Sequence, residues 1–224
     1  MYDTSLIKHD GPGPHNNGSP QEVHGGGGNT NTKNRDQPAI DAYDGWYESM
    51  GYNKNDHAAL EAYIGSSYQD INESLRSGFE LGEYEDEVRI LDDITNWGSA
   101  PADMTVYRGM PLYDADSGDP DINQVRSMIE IKKKDPSRRF IFYDNAFLST
   151  TVNRYDAVAF ATYEGEDKNP AIFEIEVPKG TKCAAINPSE FEVLFPRETK
   201  FEITGVDKND GFWIVKMKPY AEGK

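Results

Sequence analysis

The spacing of the apolar residues changes partway along the chain, and that change restricts the class of fold open to it. Before about residue 100 the apolar side chains recur at helical steps. Leu60, Ile64, Tyr68, Ile71 and Leu75 share one helix face, and Val88, Leu91 and Ile94 share another within residues 85–96. Gly65-Ser66-Ser67 interrupts the first run, where a serine can cap a second helix. After residue 104 the pattern is that of strands. Segments 105–108, 140–143, 146–151, 182–186, 192–195, 200–206 and 212–218 are short and rich in β-branched and aromatic residues. Segment 171–177 alternates, with Phe173, Ile175 and Val177 on one side and Ile172, Glu174 and Glu176 on the other. Residues 98–102 read as a loop, 155–163 as one helix among the strands, and 207–211 as a hairpin loop. Helices first and strands after predict an α+β domain with one or two mainly antiparallel sheets. The charged stretch 111–139, with Lys132-Lys133-Lys134 inside it, is expected to be a surface loop or a short helix.

Residues 1–40 read differently from the rest. They hold seven glycines and few apolar residues, too little to offset the entropy of ordering a backbone, so a disordered tail is expected there and one domain over 41–224. No apolar run follows a basic start, so no secretory signal peptide is expected, and no window is apolar and long enough to span a membrane. The chain carries a net charge of −16, of which −15 falls on residues 41–224. Phosphate backbones repel such a domain, which argues against general nucleic-acid binding.

Histidine placement excludes more chemistry. His9, His15 and His24 lie in the expected tail, and His57 opens the folded region, with none after it. Ser-His-Asp or Cys-His catalysis would have no base in the domain body, and a zinc site would lack ligands; no metal is expected. The single cysteine, Cys183, sits in a strand-like run and reads as structural.

Three segments remain that can carry chemistry. Val106-Tyr107-Arg108-Gly109 puts a guanidinium at a strand end. Phe147-Leu148-Ser149-Thr150-Thr151 supplies hydroxyls. Ser189-Glu190-Phe191-Glu192-Val193-Leu194-Phe195-Pro196 supplies two carboxylates two residues apart. On one strand Glu190 and Glu192 would face the same cleft. Paired carboxylates suit bond breaking at an anomeric carbon, where positive charge develops on a sugar: one stabilises that charge, the other serves as base.

In this order and spacing the segments resemble the arginine, Ser-Thr-Ser and Glu-x-Glu motifs of bacterial and phage mono-ADP-ribosyltransferases, in the branch that includes the actin-modifying binary toxins. Ala59-Leu60, Tyr63, Tyr68, Ile71-Asn72 and Leu75-Arg76 resemble the same branch's helical signature, and the likeness spans about residues 58–218. It implies the ADP-ribosyltransferase fold, N-terminal helices packed on a mainly antiparallel two-sheet β core. It further implies NAD as co-substrate, transfer of ADP-ribose to an arginine of a host target protein (actin included), and action in a target-cell cytosol after secretion or phage injection. By residue, it implies that Arg108 holds the NAD diphosphate, with Gly109 beside it, and that Ser149 orients Glu192. Thr150 and Thr151 would support the nicotinamide end, and Phe160 would lie against nicotinamide, packing on its own helix being the other reading. Glu192 would bind the ribose 2′-hydroxyl and stabilise the oxocarbenium. Glu190 would position and deprotonate the acceptor guanidinium. The sequence departs from the pattern in Thr151 for serine and in Gly109 where some toxins carry a second basic residue. The alternatives are an NAD glycohydrolase, a non-arginine or RNA acceptor, and a degenerate module that binds NAD or a partner without turnover.

Overall fold

Asn53 begins the second helix by filling backbone N–H groups that a helix end leaves open. Its side-chain oxygen accepts from the amides of Asn55 and Asp56, and the Asp56 carboxylate accepts from the amide of Asn53, a closed capping box. In the computed structural model, which describes residues 36–112, 120–162 and 170–221, helix α2 (Lys54–Ala62) follows α1 (Gln37–Ser49). The expected break at Gly65-Ser66-Ser67 is instead one π-helical turn, Tyr63–Ser67, which runs directly into α3 (Tyr68–Ser77). Ser67 makes no side-chain cap. Gly78, at φ 68°, ends α3 in the left-handed conformation that glycine adopts without strain. Helix α4 (Glu85–Trp97) opens on Glu85, Asp86 and Glu87, favoured by the helix dipole, and buries Val88, Leu91 and Ile94 as their spacing predicts.

Among the described residues eight strands follow: β1 (Met104–Met110), β2 (Ile141–Tyr143), β3 (Leu148–Thr151), β4 (Ala171–Val177), β5 (Ala184–Asn187), β6 (Glu192–Phe195), β7 (Lys200–Asn209) and β8 (Phe212–Pro219). Their order across the sheet is β2-β7-β8-β4-β1-β3-β6-β5, antiparallel except for the pair β4 and β8. The two-sheet expectation takes a specific form. Five strands and three strands meet between β1 and β3 through a single residue pair, Tyr107 and Thr151. Phe173, Ile175 and Val177 pack into the main core under the helices, whereas Ile172 faces α6 (Arg154–Thr162) with Tyr107, Ala157 and Ala161.

Three expectations are corrected. Stretch 111–139 contains a fifteen-residue helix, α5 (Pro120–Lys134), whose Val125, Met128 and Ile129 are buried in the main core. The lysine run at its end obscures an apolar stripe at steps of three and four. The hairpin between β7 and β8 is tighter than expected: strands continue to Asn209, and only Asp210 and Gly211, both at positive φ, make the turn. The tail boundary also moves. Residues 1–35 lie outside the described residues, but α1 starts at Gln37, and Asp36 is buried, accepting the Tyr107 hydroxyl at 2.7 Å.

Candidate active site

Adjacent strands β1, β3 and β6 bring the sequence motifs side by side. Glu192 stands opposite Thr151 in the register, so Ser149, two residues away, is its diagonal neighbour. The Ser149 hydroxyl donates to Glu192 Oε1 at 2.5 Å, and Arg108 Nη1 donates to the Ser149 backbone oxygen at 2.9 Å. Arginine, serine and glutamate thus form one chain of contacts across three strands. The two threonine hydroxyls fix the frame around it. Thr150 donates to the Val193 carbonyl at 2.7 Å and Thr151 to the Glu190 carbonyl at 2.8 Å. The hydroxyl kept by threonine at position 151 also accepts the amide of Asn153.

Glu190 is not on the strand. Strand β6 begins at Glu192, and Glu190 belongs to the turn between β5 and β6. Phe191 adopts φ 50°, which breaks the strand alternation between the two acids. The turn still delivers both carboxylates to one cavity. Asn187 Nδ2 donates to Glu190 Oε2 at 3.3 Å.

That cavity measures about 540 Å³ and is lined by all eight residues singled out from the sequence: Arg108, Gly109, Ser149, Thr150, Thr151, Phe160, Glu190 and Glu192. Phe160 is 55 % exposed and lines the cavity. Arg154 does not line the cavity. Gly109 has a steric reason: a Cβ there would lie 1.9 Å from the Ala157 carbonyl oxygen of α6, so no side chain, basic or otherwise, fits. Burial pushes the Glu192 carboxyl up to about 7, with the charge of Glu190 adding to the shift and the Ser149 hydroxyl and Arg108 opposing it.

The opposite wall was named by the sequence only as a family signature. The π-turn and α3 contribute Tyr63, Tyr68, Asn72 and Arg76. Asn72 Nδ2 donates to the Tyr63 hydroxyl at 3.1 Å, and Arg76 is held by Asp144 in a two-pronged contact of 3.0 and 2.6 Å. Tyr68, Asn72 and Arg76 lie at steps of four, a signal readable in the sequence. Cys183 is fully buried, its thiol pushed up to about 12 by burial, which suits a packing role. Among the described residues no three His, Cys, Asp or Glu side chains are grouped to hold a metal ion, and no helix is long and apolar enough to cross a membrane.

Residues 39–218 match the sequence profile of a family described as ADP-ribosyltransferase exoenzyme. No curated protein sequence matches the chain. Among solved structures, C3stau2 from S. aureus, crystallised with NAD, is 24 % identical, with a TM-score of 0.61 over 83 % of this chain and 96 % of its own. The Clostridium limosum C3 exoenzyme is 19 % identical, TM-score 0.63, over 83 % and 94 %. The ADP-ribosyltransferase Vis of Vibrio splendidus, solved with agmatine, is 20 % identical, TM-score 0.59, over 87 % and 88 %.

Proposed function

The chain belongs to the ADP-ribosyltransferase exoenzyme family, and from that premise we propose that it transfers ADP-ribose from NAD to an arginine side chain of a target protein, releasing nicotinamide. The observation that carries this reading is the contact chain Arg108–Ser149–Glu192 on one wall of a cavity that also receives Glu190. Its volume lies within the range typical of small-molecule sites, about 300–1,000 Å³. Arg108 and Arg76 supply guanidinium groups suited to a diphosphate. Bound NAD supplies the N-glycosidic bond that breaks, leaving positive charge on the ribose.

Glu192, oriented by Ser149, faces that charge as a carboxylate in a water-poor site, where its field is strongest. Phe160 offers an exposed aromatic face at the cavity edge for nicotinamide. Glu190 sits at the turn with its carboxylate held by Asn187, in a position to accept a proton from a guanidinium. Agmatine, bound in the Vis structure, carries the same guanidinium as an arginine side chain, which supports that acceptor. The reading includes action in a target-cell cytosol, where a protein with one buried thiol has no need of an oxidising compartment.

The test incubates the full chain with NAD and agmatine, then with NAD and a host lysate. Nicotinamide release with an ADP-ribosyl agmatine adduct, and modified arginines by mass spectrometry, are expected. Free ADP-ribose alone would reassign the protein as a glycohydrolase. Adducts confined to other side chains or to RNA would overturn the arginine acceptor.

A further inference from the structure

Tyr43, on α1, lies far in sequence from every motif of the site. Its ring is 1 % exposed. Its hydroxyl donates to the backbone oxygen of Glu192 and accepts from the backbone amide of Asn187 at 3.2 Å. These are the two ends of the turn that carries Glu190. Asn187 and Glu192 are the last paired residues of β5 and β6, and the register shifts between Ala185 and Asn187 just before the turn, so the Tyr43 hydroxyl bridges the turn where the ladder is irregular. The same ring packs edge-on against Phe191, centroids 5.7 Å apart, and Phe191 is the residue whose positive φ divides the two acids. Burial pushes the hydroxyl of Tyr43 further up from its ordinary value, so it stays a donor across the working pH range.

We infer that Tyr43 is a positioning residue for catalysis: its hydroxyl bridges the two ends of the glutamate turn, and its ring braces Phe191, so that α1 sets where both carboxylates stand. This rests on the reading of Glu192 and Glu190 given above. Thr151 and Val152, on β3 and its continuation, hold Glu190 and Phe191 from the sheet side. Tyr43 holds the turn from the helical side. A small misplacement of a catalytic group costs turnover far more than it costs ground-state binding.

The experiment compares Tyr43→Phe with Tyr52→Phe in the full chain. Tyr52 likewise donates its hydroxyl to a strand carbonyl, that of Ala185 on β5, at 2.6 Å, but outside the turn. Nicotinamide release, NAD affinity and thermal stability are measured for each. Tyr43→Phe is expected to lower kcat about tenfold or more while the Kd for NAD stays within about threefold. Tyr52→Phe is expected to lower stability comparably and leave kcat unchanged. Phe191→Leu, which removes the ring edge and keeps the apolar bulk, is expected to shift kcat in the same direction and stands in should Tyr43→Phe not fold. Parental kcat in Tyr43→Phe, or equal losses in the two tyrosine variants, would overturn the inference and leave the proposed function standing. A parent protein that releases no nicotinamide would sink the proposed function, and this inference with it.

Discussion

Burial and ionisation pull Glu192 in opposite directions. The carboxylate must be charged to stabilise positive charge on a sugar, yet it is 8 % exposed and shifted from 4.5 to about 7. Below about pH 7 the free protein therefore holds this group mainly protonated, and kcat/KM for NAD should rise with pH through that value; a rate flat from pH 5 to 8 would remove Glu192 from this role. The same shift has a stability consequence. The folded state binds this proton more tightly than the unfolded one between about 4.5 and 7, so the parent loses stability as pH rises across that window. Glu192→Gln has no proton to lose. It should abolish turnover yet exceed the parent in stability by up to about 3 kcal/mol above pH 7, the difference fading below pH 4.5, as urea unfolding at several pH values would show. Gly109→Ala should go the other way. A Cβ 1.9 Å from a helix carbonyl forces α6 off β1, and a loss of about 3 kcal/mol or more is expected in the same assay.

The elements around the site are tied to it by a few long-range contacts. Arg197, just after β6, grips Asp92 of α4 at 2.8 and 2.6 Å, and Arg76 of α3 grips Asp144 before β3. The π-turn at Tyr63–Ser67 sets how α3 faces the cavity. Inserting one alanine after Ser67 would rotate Tyr68, Asn72 and Arg76 about 100° away from it. NAD affinity measured by calorimetry should then fall at least about tenfold, with helix content by circular dichroism unchanged. A variant that binds as tightly as the parent would show that α3 makes no contact that matters. Such features separate what the sequence reveals from what it hides. The faces of α3 and α4 and the alternation of β4 are local periodicities and read directly. The π-turn keeps the spacing of Leu60, Ile64 and Tyr68 intact, so it looks like a break only through its glycine and serines. Phe191 at positive φ leaves no local mark, and Glu190 is therefore misplaced onto a strand. Helix α5 is hidden by its own charges.

At the scale of the whole molecule, the site is legible in its acids, hydroxyls and arginine because the strand motifs carry them in order. It is illegible in Tyr43 and Asp36, whose partners lie 149 and 71 residues further along the chain. Only the assembled fold shows that α1 and the residue before it belong to the catalytic half. A chain beginning at residue 36 should accordingly retain NAD cleavage within about twofold, whereas one beginning at residue 44 should lose at least about tenfold, measured as nicotinamide release. Equal activity in the two would detach α1 from function.

The single pair that joins the five-strand and three-strand parts of the sheet runs alongside the cavity, with Arg108 on one side and Ser149 and Glu192 on the other. Any molecule touching both banks is a stitch across that seam. Occupancy should be felt as mechanical cohesion: slower amide exchange along β1 and β3 and a melting point that climbs with nucleotide concentration.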